Sequence, residues 1–81
     1  MTRYYFHQRR QDGARIMDED GAEFSDLDAA LEEALTSARE LMSETVLHGF
    51  IELNRSFEIS DREGHALLTV PFSDAVDLRH E

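Results

Sequence analysis

The sequence predicts an α+β fold of the order ββαββ, an antiparallel four-stranded sheet with one helix packed on one face. Three observations predict it. An amphipathic segment, residues 26–48, occupies the middle of the 81-residue chain. Two segments with the composition or alternation of β-strands precede it, and two follow it. A glycine-containing turn signal separates the members of each pair, which predicts two hairpins. Because two hairpins can join in more than one way, the strand order stays open.

The length of the chain allows one domain, residues 1–81, with residues 73–81 as a single helical turn or a frayed tail. A chain this short hides only about 60% of its unfolded surface, so its core must be thin. It contains no cysteine, no secretory signal and no apolar run near the ~20 residues that a membrane span needs. We therefore expect a cytoplasmic protein without disulfides.

The first hairpin begins with residues 3–9, RYYFHQR, whose aromatic side chains favour a strand. Tyr4 and Phe6 share one face of this strand, and we predict that they point into the core. The Asp12-Gly13 dipeptide that follows is a turn signal.

The second strand is short, and its Ile16 is predicted to point inwards. The stretch DEDGAE, residues 18–23, is predicted to be a solvated acidic connection. It lacks the first acid and the correctly spaced final glutamate of an EF-hand loop, so it predicts no calcium site. No two histidines have the i, i+4 spacing of a helical zinc pair, and no metal or cofactor is predicted.

The helix is predicted over residues 26–48, with Ser25 as its N-cap and His48-Gly49 as its stop. Its apolar stripe follows the i, i+3, i+4 spacing: Leu27, Ala30, Leu31, Ala34, Leu35, Ala38, Leu41, Met42 and Thr45. Alanine permits close approach, so this stripe predicts a helix that lies directly on a sheet.

The second hairpin is predicted from residues 57–59 and 65–72, which are joined by the turn SDREG. Leu68, Val70 and Phe72 are predicted to face one way, towards the core. Leu67 and Thr69 are predicted to face the other way.

The net charge of −10 is unevenly distributed. Residues 1–17 carry four arginines against one aspartate, a net charge of +3, whereas residues 18–48 carry ten acids against one arginine. We expect the arginines of the first hairpin to pair with the acidic helix, within or between chains. An acidic protein repels nucleic acid, so nucleic acid is not the expected partner.

The sequence gives no signal of catalysis. It has no cysteine or lysine, and no serine in a G-x-S-x-G context, to act as an activated nucleophile. His7 and His65 lie on predicted strands and are expected to be surface or edge histidines. We therefore predict no catalytic residues and no enzyme.

Three stretches carry a family resemblance: RYYFH, then DEDGAEFSDLDAALEEALTSARELM, then FEISDREGHALLTVPF. With them the chain resembles an uncharacterised family of small bacterial proteins, common in rhizobia and their relatives and classed as a domain of unknown function. The resemblance implies a compact domain of two hairpins and one helix, and it implies no activity.

The preferred functional hypothesis is a small, non-catalytic interaction or regulatory module that binds a second copy of itself and an unknown protein. Its candidate interface lies on the sheet face away from the helix: Tyr5, His7, Arg9, Leu67 and Thr69. The alternative is an antitoxin-like or nucleic-acid-associated regulator that binds through the basic, aromatic first hairpin. A third reading, a hydrolase, would need a pocket where histidine and carboxylates converge.

Overall fold

A computed structural model describes residues 1–49 and 54–76 of the protein. Its elements are β1 (Thr2–Arg9), β2 (Arg15–Ile16), β3 (Ala22–Phe24), α1 (Leu27–Leu47), β4 (Ser56–Ser60), β5 (Ala66–Pro71) and a 3₁₀ turn (Phe72–Ala75). The predicted α+β fold is confirmed, since one helix packs on an antiparallel sheet. Strand β3 is an addition to the predicted order, and it lies partly within the predicted acidic connection.

The two hairpins join through their first strands, which gives the sheet order β2-β1-β4-β5. Strand β1 pairs antiparallel with β4, with Phe6 opposite Ile59. On its other edge β1 pairs first with β2 and then, at its N-terminal end, with β3. The chain between β2 and β3 is therefore a loop, residues 17–21, that runs beside the middle of β1.

The core lies between α1 and the facing side of the sheet. Its buried side chains are Tyr4, Ala30, Ala34, Ala38, Met42, Phe57, Ile59, Val70, Phe72 and Ala75. Three helix alanines, Ala30, Ala34 and Ala38, are completely inaccessible to solvent. Small side chains let the helix backbone approach the strands, as the stripe predicted. Leucines beside these alanines are half-buried and pack around the edge of the core.

The helix begins one residue later than predicted. Asp26, and not Ser25, is the N-cap, because its side chain accepts a hydrogen bond from the backbone N–H of Ala29 at 2.8 Å. The end of the helix agrees with the prediction, since His48 is the C-cap and Gly49 follows with a φ of +95°.

The prediction that Ile16 points into the core is wrong. Its register opposite Gln8 places it on the helix side of the sheet, but β2 is the outermost strand there and Ile16 is 44% exposed. In the tail, the predicted helical turn corresponds to the 3₁₀ turn, and residues 77–81 lie outside the described residues. Within the described part of the chain, no helix combines the length and the hydrophobicity needed to cross a lipid bilayer.

Candidate functional site

The sheet face opposite the helix brings together four of the five predicted interface residues. Tyr5, His7 and Arg9 alternate along β1 with the core residues and therefore lie on this face. His7 is opposite Glu58, which in turn is opposite Thr69 of β5. We call this surface the outer face of the sheet.

Leu67, the fifth residue, lies at an irregularity of the sheet. Ile59 pairs with Leu68 and Ser60 pairs with Ala66, so Leu67 between them has no direct partner on β4. Its side chain is 42% exposed. The residue therefore belongs to the edge strand and not to the centre of the outer face.

His7 is a buried residue, so the expectation of a surface or edge histidine is wrong. Its side chain is 9% exposed because β1 is an interior strand and the loop of residues 17–21 lies beside it. The ring stacks on Tyr5 with a centroid distance of 6.4 Å. The backbone N–H of Asp18 donates to its Nδ1 atom at 3.0 Å. A nitrogen that accepts from an amide carries no proton, so in this hydrogen-bonded arrangement the ring proton lies on Nε2.

Asp18 organises the loop that reaches His7. One carboxylate oxygen accepts the N–H of Phe6 at 3.1 Å, and the other accepts the N–H groups of Asp20 and Gly21, each at 3.1 Å. Burial raises the pKa of the Asp18 carboxyl, but these three backbone donors together outweigh it and hold the pKa below its ordinary value. The predicted solvated acidic turn therefore contains a structural aspartate.

A shallow pocket of about 280 Å³ opens on the outer face. Its lining comes from β1, β2, β4 and β5, and consists of His7, Gln8, Arg9, Arg15, Ser56, Glu58 and Thr69. Arg15 forms an ion pair with Glu58 across β1. Arg9 is directly opposite Arg15, so two like charges face each other at this position.

Arg3 and Arg15 of the first hairpin form ion pairs with residues on strands, and among the described residues none of the four arginines pairs with the helix. Arg3 donates to the carbonyl of Asp20 at 2.7 Å and pairs with Glu23 at 3.4 Å. The aromatic side chains of the basic first hairpin also lie on two faces of the sheet, because Tyr4 and Phe6 pack towards the helix. Of the first-strand aromatics, Tyr5 is the one on the outer face.

A second cluster of titratable groups lies in the β4–β5 turn, where Asp61, Glu63 and His65 present ligand-type atoms within 4.8 Å of one another. The sequence signal for this cluster is the spacing Asp-x-Glu-x-His in residues 61–65. The backbone N–H of His65, followed by its side chain and the N–H of Glu63, lowers the pKa of the Asp61 carboxyl. These hydrogen bonds close a tight turn, and this structural role explains why the three side chains lie together.

The third feature is an apolar groove between α1 and β5, with a volume of about 220 Å³. Its lining consists of Leu31, Leu35, Leu68, Thr69, Val70 and Asp74. The groove lies beside the outermost strand of the sheet at the end opposite β2. Half-buried leucines and an edge strand thus occupy the same side of the molecule.

Residues 3–73 match the family described as "Domain of unknown function (DUF6894)". The chain belongs to the DUF6894 family. The resemblance to a domain of unknown function is thereby confirmed at the level of the family. No curated protein and no solved structure matches this DUF6894 domain. Its function therefore has to be argued from the surfaces described above.

Proposed function

We propose that this DUF6894 domain is a non-catalytic interaction module that forms a homodimer through its edge strand β5. The observation that carries the proposal is the exposed, uncharged edge of β5 next to an apolar groove. None of the six residues of β5, ALLTVP, is charged. Natural edge strands are commonly protected by charges, proline, bulges or a covering element, because an open strand edge pairs with another chain. Strand β5 has Pro71 at its end and an irregularity opposite Ile59 and Ser60, which leaves the segment Leu68–Val70 for pairing.

The groove supplies side-chain contacts that a second copy can use. Leu31 and Leu35 of α1 and Leu68 of β5 are only half-buried in the single chain. A second β5 strand, paired antiparallel about a two-fold axis, would extend the sheet and bring the same leucines of both copies together. An 81-residue domain has a thin core, so this additional burial stabilises it more than it would a larger protein.

Charge favours this edge over other surfaces for contact between two copies. Each copy carries a net charge of −10, and like-charged molecules repel each other. Strand β5 itself is neutral, and Asp74 is the one carboxylate that lines the groove beside it. We therefore expect association to strengthen as salt is added, since salt screens the remaining repulsion over a Debye length of about 10 Å at 0.1 M.

A matched pair of substitutions tests the proposal. Leu67→Lys places a cation on β5, and Ile16→Lys makes the same change on β2 at the other end of the sheet. The two parent side chains are similarly exposed, at 42% and 44%. We expect sedimentation velocity over a wide concentration range to give a dimer for the wild type and for Ile16→Lys, and a monomer for Leu67→Lys.

Two results would contradict the proposal. A wild-type protein that stays monomeric at millimolar concentration has no self-association to explain. Dissociation by Ile16→Lys and not by Leu67→Lys would move the interface to the opposite edge of the sheet.

The alternative, a nucleic-acid-associated or antitoxin-like regulator, has weaker support. In its favour, Arg9 and Arg10 form no ion pair with the described residues. Against it, one aromatic side chain of β1 lies on the outer face, whereas stacking platforms for single-stranded nucleic acid use several. Fluorescence anisotropy with a labelled RNA oligonucleotide at low salt separates the two functions, because the interaction module should not bind it.

A further inference from the structure

We propose that the outer face of the sheet carries a binding pocket for a small oxyanion, a phosphate or carboxylate group, held by His7 and Arg9. The pocket is the shallow one of about 280 Å³ described above. The inference does not rest on the proposed homodimer, because His7 and Arg9 belong to the interior strand β1 and the dimer contact is assigned to the edge of β5.

His7 supplies a fixed hydrogen-bond donor. The side chain is more than nine-tenths buried, and the N–H of Asp18 occupies its Nδ1 atom. Its Nε2 atom therefore carries the proton, and no described residue accepts a hydrogen bond from it. The ring lines the pocket and is held in place by stacking on Tyr5. His7 Nε2 is not among the fully buried atoms without a partner, so this oriented N–H reaches the pocket and is a donor that a ligand can use.

Arg9 supplies a positive charge that no described residue neutralises. It lies directly opposite Arg15, and like charges at such a cross-strand position are destabilising. Glu58 pairs with Arg15 and so compensates one of the two cations. Arg9 forms no ion pair with the described residues. The two arginines together with Glu58 therefore retain one excess positive charge. A bound anion would compensate it.

The remaining lining fits an oxyanion with several acceptor oxygens. Ser56 is the cross-strand partner of Arg9, and Thr69 lies in the same row as His7. Both lining residues carry hydroxyl groups that can donate to a ligand. Glu58 is the one carboxylate of the lining, and its pairing with Arg15 limits its repulsion of an anion. The volume is near the lower end for small-molecule pockets, which fits a small anion.

Inorganic phosphate is the first probe, and acetate is the second. Each is titrated into the full chain at constant ionic strength, and binding is followed by the NMR signals of the His7 ring and the Arg9 side chain. We expect saturable shifts of these signals with at least one of the two anions. Saturation with acetate alone assigns the pocket to carboxylates, and saturation with phosphate alone assigns it to phosphates.

Substitution of neighbouring arginines tests the location of the site. Arg9→Gln removes a lining cation, whereas Arg10→Gln makes the same charge change at the next residue, which does not line the pocket. We expect Arg9→Gln to weaken binding about tenfold or more, the usual effect of losing a charged hydrogen bond, and Arg10→Gln to change it little. The variant His7→Phe should also weaken binding. This comparison applies when a dispersed amide NMR spectrum shows that the variant is folded. If it does not fold, the comparison of the two arginine variants decides.

Two outcomes would overturn the inference. The first is the absence of saturable shifts with both anions. The second is equal weakening by Arg9→Gln and Arg10→Gln, which would show a general effect of net charge and no defined site.

Discussion

The backbone of Asp18 and the ring of His7 are joined by one hydrogen bond, from the amide N–H to Nδ1 at 3.0 Å. The side chain of the same aspartate accepts three backbone N–H groups, from Phe6, Asp20 and Gly21. One residue of a loop thus fixes both the path of that loop and the tautomer of a buried histidine. Asp18 is therefore the residue that connects this loop to β1.

Asp18→Ala is expected to destabilise the protein by about 1–3 kcal/mol, because it leaves partly buried backbone donors without an acceptor. Urea denaturation followed by circular dichroism measures the change in the free energy of unfolding. Asp20→Ala is the matched control, since the Asp20 side chain makes no hydrogen bond with the described residues. Equal losses in the two variants would show that the Asp18 carboxylate has no special role.

Acid should weaken the fold through two carboxyl groups. The pKa values of Asp18 and Asp61 are both lowered from the ordinary value of 3.8 in the folded state. Below that value the unfolded chain binds more protons than the folded chain at these groups. The free energy of unfolding therefore decreases as the pH decreases. Their contribution is fully present above pH 3.8 and is lost as the pH falls through the lowered folded values.

Urea denaturation at a series of pH values between neutral and strongly acidic checks this dependence. We expect Asp18→Asn and Asp61→Asn each to reduce the stability at neutral pH and to make its decrease in acid shallower. An unchanged slope in both test variants would mean that other carboxyl groups account for acid unfolding.

The sequence predicted the fold because each element left a local pattern. The alanine and leucine spacing of α1 and the alternation in β5 follow from burial on one face, and the structure confirms both. Strand order left no such pattern, because the pairing of β1 with β4 depends on contacts between residues about 50 positions apart. Strand β3 was missed because three residues are too few to show an alternation.

The site was harder to predict than the fold. The alternation along β1 placed Tyr5, His7 and Arg9 on one face, and the structure has them there. Burial of His7 could not be predicted, since it depends on the interior position of β1 and on a loop that reaches it from residue 18. The role of Asp18 could not be predicted for a similar reason. The sequence of an acidic stretch is the same whether its aspartate is solvated or hydrogen-bonded to the backbone.

The N-cap provides a third prediction, because it is Asp26 and not the predicted Ser25. Asp26→Ala should destabilise the protein by about 1 kcal/mol, because the N–H of Ala29 loses its acceptor and the helix loses a negative charge near its positive end. Ser25→Ala should change the free energy of unfolding by less than about 0.5 kcal/mol, as expected for a surface substitution. Thermal and urea denaturation of both variants measure these changes. A larger loss in Ser25→Ala would restore Ser25 as the cap.

Gly21 is the position where the loop passes closest to β1. It has a φ of +68°, and a Cβ atom there would lie 2.9 Å from the carbonyl oxygen of Tyr4 and 2.9 Å from a ring carbon of Tyr5. Gly13 has a φ of +87° but no atom within 4 Å of the corresponding position. Alanine at either position is strained by the left-handed backbone, which costs about 1–2 kcal/mol.

The two glycines therefore separate backbone strain from a steric clash. Gly21→Ala should destabilise the protein by about 1–3 kcal/mol more than Gly13→Ala, since the contact involves a backbone carbonyl that cannot rotate away. The displaced loop should also withdraw the N–H of Asp18 from His7, so the NMR signals of the His7 ring should shift in Gly21→Ala and stay unchanged in Gly13→Ala. If both variants lose the same stability and neither shifts the ring signals, the loop does not pack against β1 as closely as these distances require.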